Sequence, residues 1–405
     1  MSRKEKIPLL HDHHNHPSQY ATFFDSADLS DVRKKDDAIK IIEENTNREE
    51  VNVVLGWNNS YYNFNEKDLQ KLSPVIICNL SFHGFLSNSK AEEMVKENNE
   101  NYEILEKMKD PSWMEHNLPK IMKFLIQIEG LNPKKLDSLY DFFLEKGIWK
   151  TEDMLVPNEE ALETFKKSGY IDRTDLWTDL PTYKGMSKKA KKEIKGIKIF
   201  TDGALGPKTA AIKETYPEGN DGVLLQNEKS LSELLHKIDK DKVSIHAIGN
   251  RATETVVNTI SSLQDIDLPE IRIEHAQFID KDTAVKAKSL GITLSMQPNF
   301  SLDSEHYSDR LSEKYLKMNN PFRMLIDKAN FVPGKDLVFG SDGMPHGVEA
   351  ALRSSLFPPY LSQRLTLREF KEGYCSHEKN VGEIKIDVDE DKEEVIIEEI
   401  ESDYK

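Results

Sequence analysis

The sequence predicts an α/β protein built on a parallel (β/α)8 barrel, also called a TIM barrel. Three observations carry this expectation. Eight apolar runs of strand length recur along the chain, and amphipathic helical stretches separate most of them, which is the alternation of α/β folds. The fourth to sixth runs are rich in β-branched residues, which suit a pleated surface. The length of 405 residues holds a barrel of about 250 residues with room for insertions.

The eight runs lie at residues 7–10, 151–156, 173–179, 197–201, 243–247, 271–275, 292–296 and 337–340. Helical periodicity fills 231–239, 252–263, 281–289 and 320–329 between the later ones. Two further apolar runs, 51–55 and 75–79, fall between the first and second strands, followed by polar helical sequence over 90–108, 116–127 and 133–145. Residues 50–147 therefore read as an inserted subdomain, with the barrel on 1–49 and 148–377. Residues 378–405 read as an acidic hairpin, with strands at 381–388 and 395–400 turning at Asp389-Glu-Asp-Lys.

Composition excludes several classes. With 38% apolar and 31% charged residues, the chain has enough core-forming side chains to exclude global disorder. No run approaches the roughly 18 apolar residues of a membrane span. The start, Met1-Ser-Arg-Lys-Glu-Lys, lacks a secretory apolar region. Two cysteines, Cys78 and Cys375, make neither a disulfide framework nor a thiolate metal site. A cytoplasmic protein is expected. The net charge of −16, half of it carried by residues 378–405, excludes a general nucleic-acid binder, which needs a basic surface.

The chemistry begins at Asp12-His13-His14-Asn15-His16. In an extended segment His14 and His16 project to one side, so both imidazoles can reach a single metal ion. His13 alternates away from them and is excluded. His246, His275 and Asp342 each end an apolar run, and barrels build their active sites at the C-terminal ends of strands. Lys198 shares an inward face with Phe200 and Asp202. A buried ammonium is costly unless paired; this one can pair with an acid such as Asp342, or be carbamylated and ligate a metal through oxygen. Asp202 lies within hydrogen-bonding reach of such a centre, or else serves the turn before Gly203. Arg272 and Glu274 alternate away from His275 and read as a structural ion pair beneath a helix. His346 sits close to Asp342 in sequence and is a candidate substrate contact. His11 has no supporting neighbours.

Together these residues resemble the amidohydrolase superfamily, and within it the YtcJ-like branch, amidohydrolase family 3. The resemblance runs from about residue 7 to about residue 375. Its motifs, in order, are Asp12-x-His14-x-His16, Gly56-Trp57, Pro74-Val75, His83-Gly84 with Asn88-Ser89, and Thr151-Glu-Asp. Lys198-Ile-Phe-Thr-Asp-Gly-Ala-Leu-Gly with Thr209-Ala-Ala is the most branch-specific stretch. His246-Ala-Ile-Gly, Arg272-Ile-Glu-His275-Ala, Ser295-Met-Gln-Pro and Gly340-Ser-Asp342 complete the series.

The resemblance implies a distorted barrel holding one or two divalent metal ions, usually zinc. His14, His16, His246, His275 and Asp342 match the ligand motif, and Lys198 falls where many relatives carry a carbamylated bridging lysine. It implies hydrolysis of an amide or cyclic amide C–N bond in a small molecule by metal-activated hydroxide. Asp342 is the expected proton carrier, and His275, or else His246, would be a second catalytic group polarising the carbonyl if only one metal is bound. Trp57 and His83 resemble positions near the substrate pocket, to which the inserted subdomain would contribute. Deamination or ester hydrolysis at the same metals, or a non-catalytic metal-binding regulatory protein, are the alternatives.

Departures from the pattern are specific. The β-sandwich usual in the family is reduced or missing, and the apolar surface this leaves would suit a homodimer. Asn250 replaces the usual aspartate, Asn299-Phe300 stands where a histidine is common, and Gly343-Met-Pro-His346 replaces an aromatic-Pro. No membrane or nucleic-acid partner is expected.

Overall fold

The computed structural model describes residues 2–80, 84–98, 102–263 and 267–402. Its strands, in chain order, are β1 (Ser2–Pro8), β2 (Leu10–Asn15), β3 (Asn52–Trp57), β4 (Val75–Asn79), β5 (Phe85–Ser87), β6 (Ile148–Asp153), β7 (Thr174–Thr178), β8 (Ile194–Phe200), β9 (Lys242–Ala247), β10 (Glu270–His275), β11 (Thr293–Met296), β12 (Leu337–Phe339), β13 (Glu383–Asp389) and β14 (Glu394–Glu401).

Eight of them form one parallel sheet in the order β12-β11-β10-β9-β8-β7-β6-β2, the expected barrel. Its seam lies between β12 and β2. There the Ser341 N–H donates to Asp12 Oδ1 at 2.8 Å and the Asp342 N–H donates to the His14 carbonyl at 2.7 Å. Glycine at 340 permits this approach, because a Cβ there would lie 2.3 Å from the His14 backbone nitrogen. Register shifts within β2–β6 and β7–β8 distort the sheet. The barrel strands alternate apolar residues with polar ones: in β9, Val243 and Ile245 alternate with Ser244 and His246. The helix Asn250–Ser262 that follows buries Ala252, Val256, Val257 and Ile260, one face at helical spacing.

Seven of the eight expected barrel strands overlap the observed ones directly; the first is displaced. Residues 2–8 belong instead to a three-stranded antiparallel sheet, β1-β13-β14. The barrel strand is the polar stretch Leu10–Asn15, which an apolar-run criterion overlooks because its partners inside the barrel are themselves polar. The C-terminal hairpin forms as expected, but its first strand is no solvated edge: Ile384, Ile386 and Val388 are buried, as is Ile7 on β1.

The chain divides into two compact units. One comprises Met1–Pro17, Tyr140–Glu159 and Gly169–Lys405; the other comprises Ser18–Leu139 and Glu160–Ser168. The second unit carries the sheet β3-β4-β5. Residues 18–49, assigned to the barrel from sequence, fall in this second unit, because Ala27, Leu29, Ala38 and Ile42 share an apolar cluster with Val54, Val75 and Ile77. Among the described residues, no helix is long and apolar enough to cross a membrane.

Candidate metal centre

Four strand ends supply the centre. His14 and His16 end the β2 segment, His246 closes β9, His275 closes β10, and Asp342 follows β12. Metal-capable atoms of His14, His275 and Asp342 all lie within 4.8 Å of one another. His16 Nε2 and His14 Nε2 stand 3.4 and 3.7 Å from Asp342 Oδ1. The rings of His246 and His275 are 4.5 Å apart, and those of His14 and His275 are 4.6 Å apart. The five side chains expected to share a site therefore occupy one neighbourhood.

Backbone geometry makes this convergence possible. Strict alternation admits only one of two consecutive strand residues to the interior. His275 and Asp342 have φ of 69° and 55°, left-handed values that non-glycine residues seldom adopt and that turn each side chain out of register. Glu274 and His275 consequently both face the centre.

Each histidine of the inner group has one nitrogen engaged from outside it. His14 Nδ1 meets Glu274 Oε2 at 2.6 Å, His275 Nδ1 meets Gln297 Oε1 at 2.8 Å, and His246 Nε2 meets the Gly203 carbonyl at 3.0 Å. All three partners are acceptors, so each engaged nitrogen carries the proton and the other presents a lone pair. Burial is the main cause holding all three imidazoles well below their ordinary pKa, so they are neutral at neutral pH. Neutral imidazoles beside a carboxylate make a donor set that fits a divalent cation. Burial pushes the Asp342 carboxyl up, but the surrounding histidines and Lys198 outweigh it and hold it below its ordinary value.

The Lys198 side chain is 2% exposed, and its amine makes no hydrogen bond. Burial lowers its pKa to about 8 against the opposing pull of Glu274 and Asp342. The amine therefore sits among the candidate ligands, facing the carboxylates of Glu274 and Asp342 and more easily deprotonated than an exposed lysine.

The remaining expected residues are placed differently. Asp202 accepts from the backbone N–H groups of Ala211, Ile248 and Gly249 at 2.8 to 3.0 Å and lies 3.4 Å from His246 Nε2. Its oxygens hold these loops together and lie beside His246. Trp57 is buried in the second unit, donating to the Tyr62 carbonyl at 3.0 Å and packing near Phe64; it is core. His346 packs on Phe142 and Phe143 and meets Asn15 Oδ1 at 3.1 Å, tying the loop after β12 to the end of β2. His83 lies outside the described residues.

Sequence reasoning missed a charged network inside the barrel. Arg272 pairs with Glu152 at 2.9 Å and with Glu274 at 2.5 Å. Since β6 and β10 are not neighbours in the sheet, the first pair crosses the interior; the expected Arg272–Glu274 ion pair forms, but inside the barrel and not beneath a helix. The signal was there: Glu152, Lys195, Arg272 and Glu274 are charges in runs otherwise suited to buried strands. His13 also corrects the alternation argument, since its Nδ1 reaches Glu152 at 3.1 Å, inside the barrel; the register shift between Asp12 and Asn15 lets His13 and His14 both point inward. His11, His13 and Glu152 are close enough to suggest a second metal site. Glu152 already takes Arg272, Lys195 at 3.2 Å and the Trp177 N–H at 2.6 Å, so a further cation would face two fixed positive charges. This group is a polar filling of the barrel.

The chain is similar to known proteins over part of its length. A family model described as an amidohydrolase family matches residues 154–348, which include Lys198, His246, His275 and Asp342 but not the first-strand histidines. A Bacillus subtilis protein named as the amidohydrolase YtcJ is 31% identical over 186 residues, 45% of this chain and 34% of that protein. The Arabidopsis thaliana protein LONG AFTER FAR-RED 3 is 30% identical over 186 residues, 43% of this chain and 32% of that protein. The match thus spans about a third of the length of either relative. Among solved structures, an uncharacterized metal-dependent hydrolase from Pyrococcus furiosus superposes with a TM-score of 0.68 at 19% identity, over 91% of this chain and 80% of that one; the likeness is one of fold.

Proposed function

We propose that this chain, which belongs to the YtcJ-like branch of the amidohydrolase superfamily, is a metal-dependent hydrolase that cleaves an amide or cyclic amide C–N bond in a small molecule. One observation carries the reading. Side chains from four strand ends, drawn from positions 14 to 342, meet with their lone pairs and one carboxylate together.

His14, His16, His246, His275 and Asp342 would hold one or two divalent ions, zinc being the metal best matched to this nitrogen-rich set. Lys198 would serve either as a carbamylated oxygen ligand or as an ammonium facing Glu274 and Asp342. A divalent cation bound here supplies Lewis acidity, lowering the pKa of water toward 7 and polarising a carbonyl.

The chain's own residues do the rest. Asp342 is ionised at neutral pH and its side chain is 18% exposed, so it can take a proton from attacking water and later deliver it to the departing nitrogen. His275 presents an unprotonated Nε2, because its proton is committed to Gln297. That suits ligation better than donation to a carbonyl, and shifts the proton work onto Asp342. Asp202 and Gln297 keep the imidazoles of His246 and His275 in place.

The test combines elemental analysis with a substrate screen. The purified protein is expected to contain zinc or a related divalent ion, and His14→Ala with His16→Ala to lose it. Asp342→Asn is expected to keep its fold but lose at least about 100-fold in turnover on any N-acyl or cyclic amide substrate found. Full turnover by Asp342→Asn would remove that residue from proton transfer. Activity confined to esters or to aminated rings would move the reaction to another bond.

A further inference from the structure

Glu274 belongs to no ligand set, yet it is fully enclosed beside the centre, at 0% exposure. Every one of its contacts is directional. Oε2 accepts from His14 Nδ1 at 2.6 Å. Oε1 accepts from the Ser244 hydroxyl at 2.6 Å and from Arg272 Nε at 2.5 Å. Arg272 is fixed in turn, its NH1 lying 3.0 and 2.9 Å from the two oxygens of Glu152, and Glu152 also takes Lys195 and the Trp177 indole. The carboxylate is clamped from β9, β10 and the far wall of the barrel, and cannot turn its oxygens without breaking the network.

We propose that Glu274 is a positioning residue for the metal centre: it holds His14 as the Nδ1–H tautomer, aims Nε2 at the metal and makes that nitrogen a stronger donor. The inference rests on the reading of His14 as a metal ligand. The physical basis is a charge-assisted hydrogen bond between two buried side chains. An anion accepting the distal N–H draws the proton toward itself and leaves more electron density on the coordinating nitrogen; outer carboxylates of this kind alter metal affinity by about 10- to 100-fold. The positive φ at His275 makes the arrangement possible, since it lets Glu274 and His275 serve the centre from adjacent positions. Arg272 is the counter-ion that makes a buried carboxylate tolerable here, so the cationic end of the network points away from the metal.

The measurement is the zinc dissociation constant, obtained by chelator competition on the full chain, for the wild type and for Glu274→Gln. The amide can still accept from His14 but carries no charge. The variant is expected to bind zinc about 10- to 100-fold more weakly while leaving the metal-free thermal midpoint above room temperature. Binding within twofold of wild type would overturn the proposal and leave the metal centre standing. A wild type that binds no zinc would sink the centre itself, and this inference with it.

Should Glu274→Gln fail to fold, the wild type decides alone. With 15N-labelled histidine, and His14 assigned by its absence from the His14→Gln spectrum, the His14 ring is expected to be protonated at Nδ1 with and without zinc. Protonation at Nε2 in the metal-free protein would overturn the role given to Glu274.

Discussion

Imidazoles are the residues on which this protein's behaviour turns. His11, His13, His14, His246, His275 and His346 are all held below their ordinary pKa, with burial the leading cause in each. An unfolded chain gains protons on these rings as pH falls through about 6.5, whereas the folded chain resists. The unfolded state then binds more protons, so stability is present above that value and is lost as pH falls below it. The metal-free protein is therefore expected to unfold at a lower urea concentration at pH 5.5 than at pH 7.5. Equal midpoints would mean that the rings are hydrated in the folded state. A divalent ion held by these rings would compete with the same protons, so its release is expected over the same acid range.

Among elements, the seam between β12 and β2 couples fold to site most directly. Ser341 and Asp342 donate their backbone N–H groups to Asp12 and His14, so the step that closes the sheet also sets the carboxylate beside the imidazoles. Gly340→Ala would place a methyl group 2.3 Å from the His14 nitrogen and 2.8 Å from its Cβ. Overpacking of this kind costs about 1–3 kcal/mol, and here it would push β2 away from β12. The variant is expected to lose both stability and zinc. Lost stability with normal zinc affinity would show that the seam can widen without disturbing the ligands. Strand positions were legible wherever an apolar run marked them, as in β9, β10 and β12. They were illegible at β2, whose interior partners are Glu152, Glu274 and Asp342, so that polar side chains there are the satisfied ones.

At the scale of the molecule, one cation would tie together strands distant in sequence, and its binding energy becomes folding energy. At a zinc concentration 100 times the dissociation constant, the barrel is expected to gain about 2.7 kcal/mol of stability. Thermal or urea unfolding with zinc and with chelator reads this directly, and a zinc-independent transition would argue against a site that exists only in the folded state. Composition, spacing and motif order were enough to indicate the barrel and seven of its strands, and to nominate the histidines and the carboxylate that lie near one another in the structure, because periodicity and strand-end position are local properties of a chain. Which unit holds residues 18–49, that Trp57 is core, that Asp202 anchors loops and that Glu274 backs His14 were decided only in three dimensions. Those facts depend on packing across the sheet and on left-handed backbone at His275 and Asp342, where strict alternation, the rule by which a sequence is read, no longer holds.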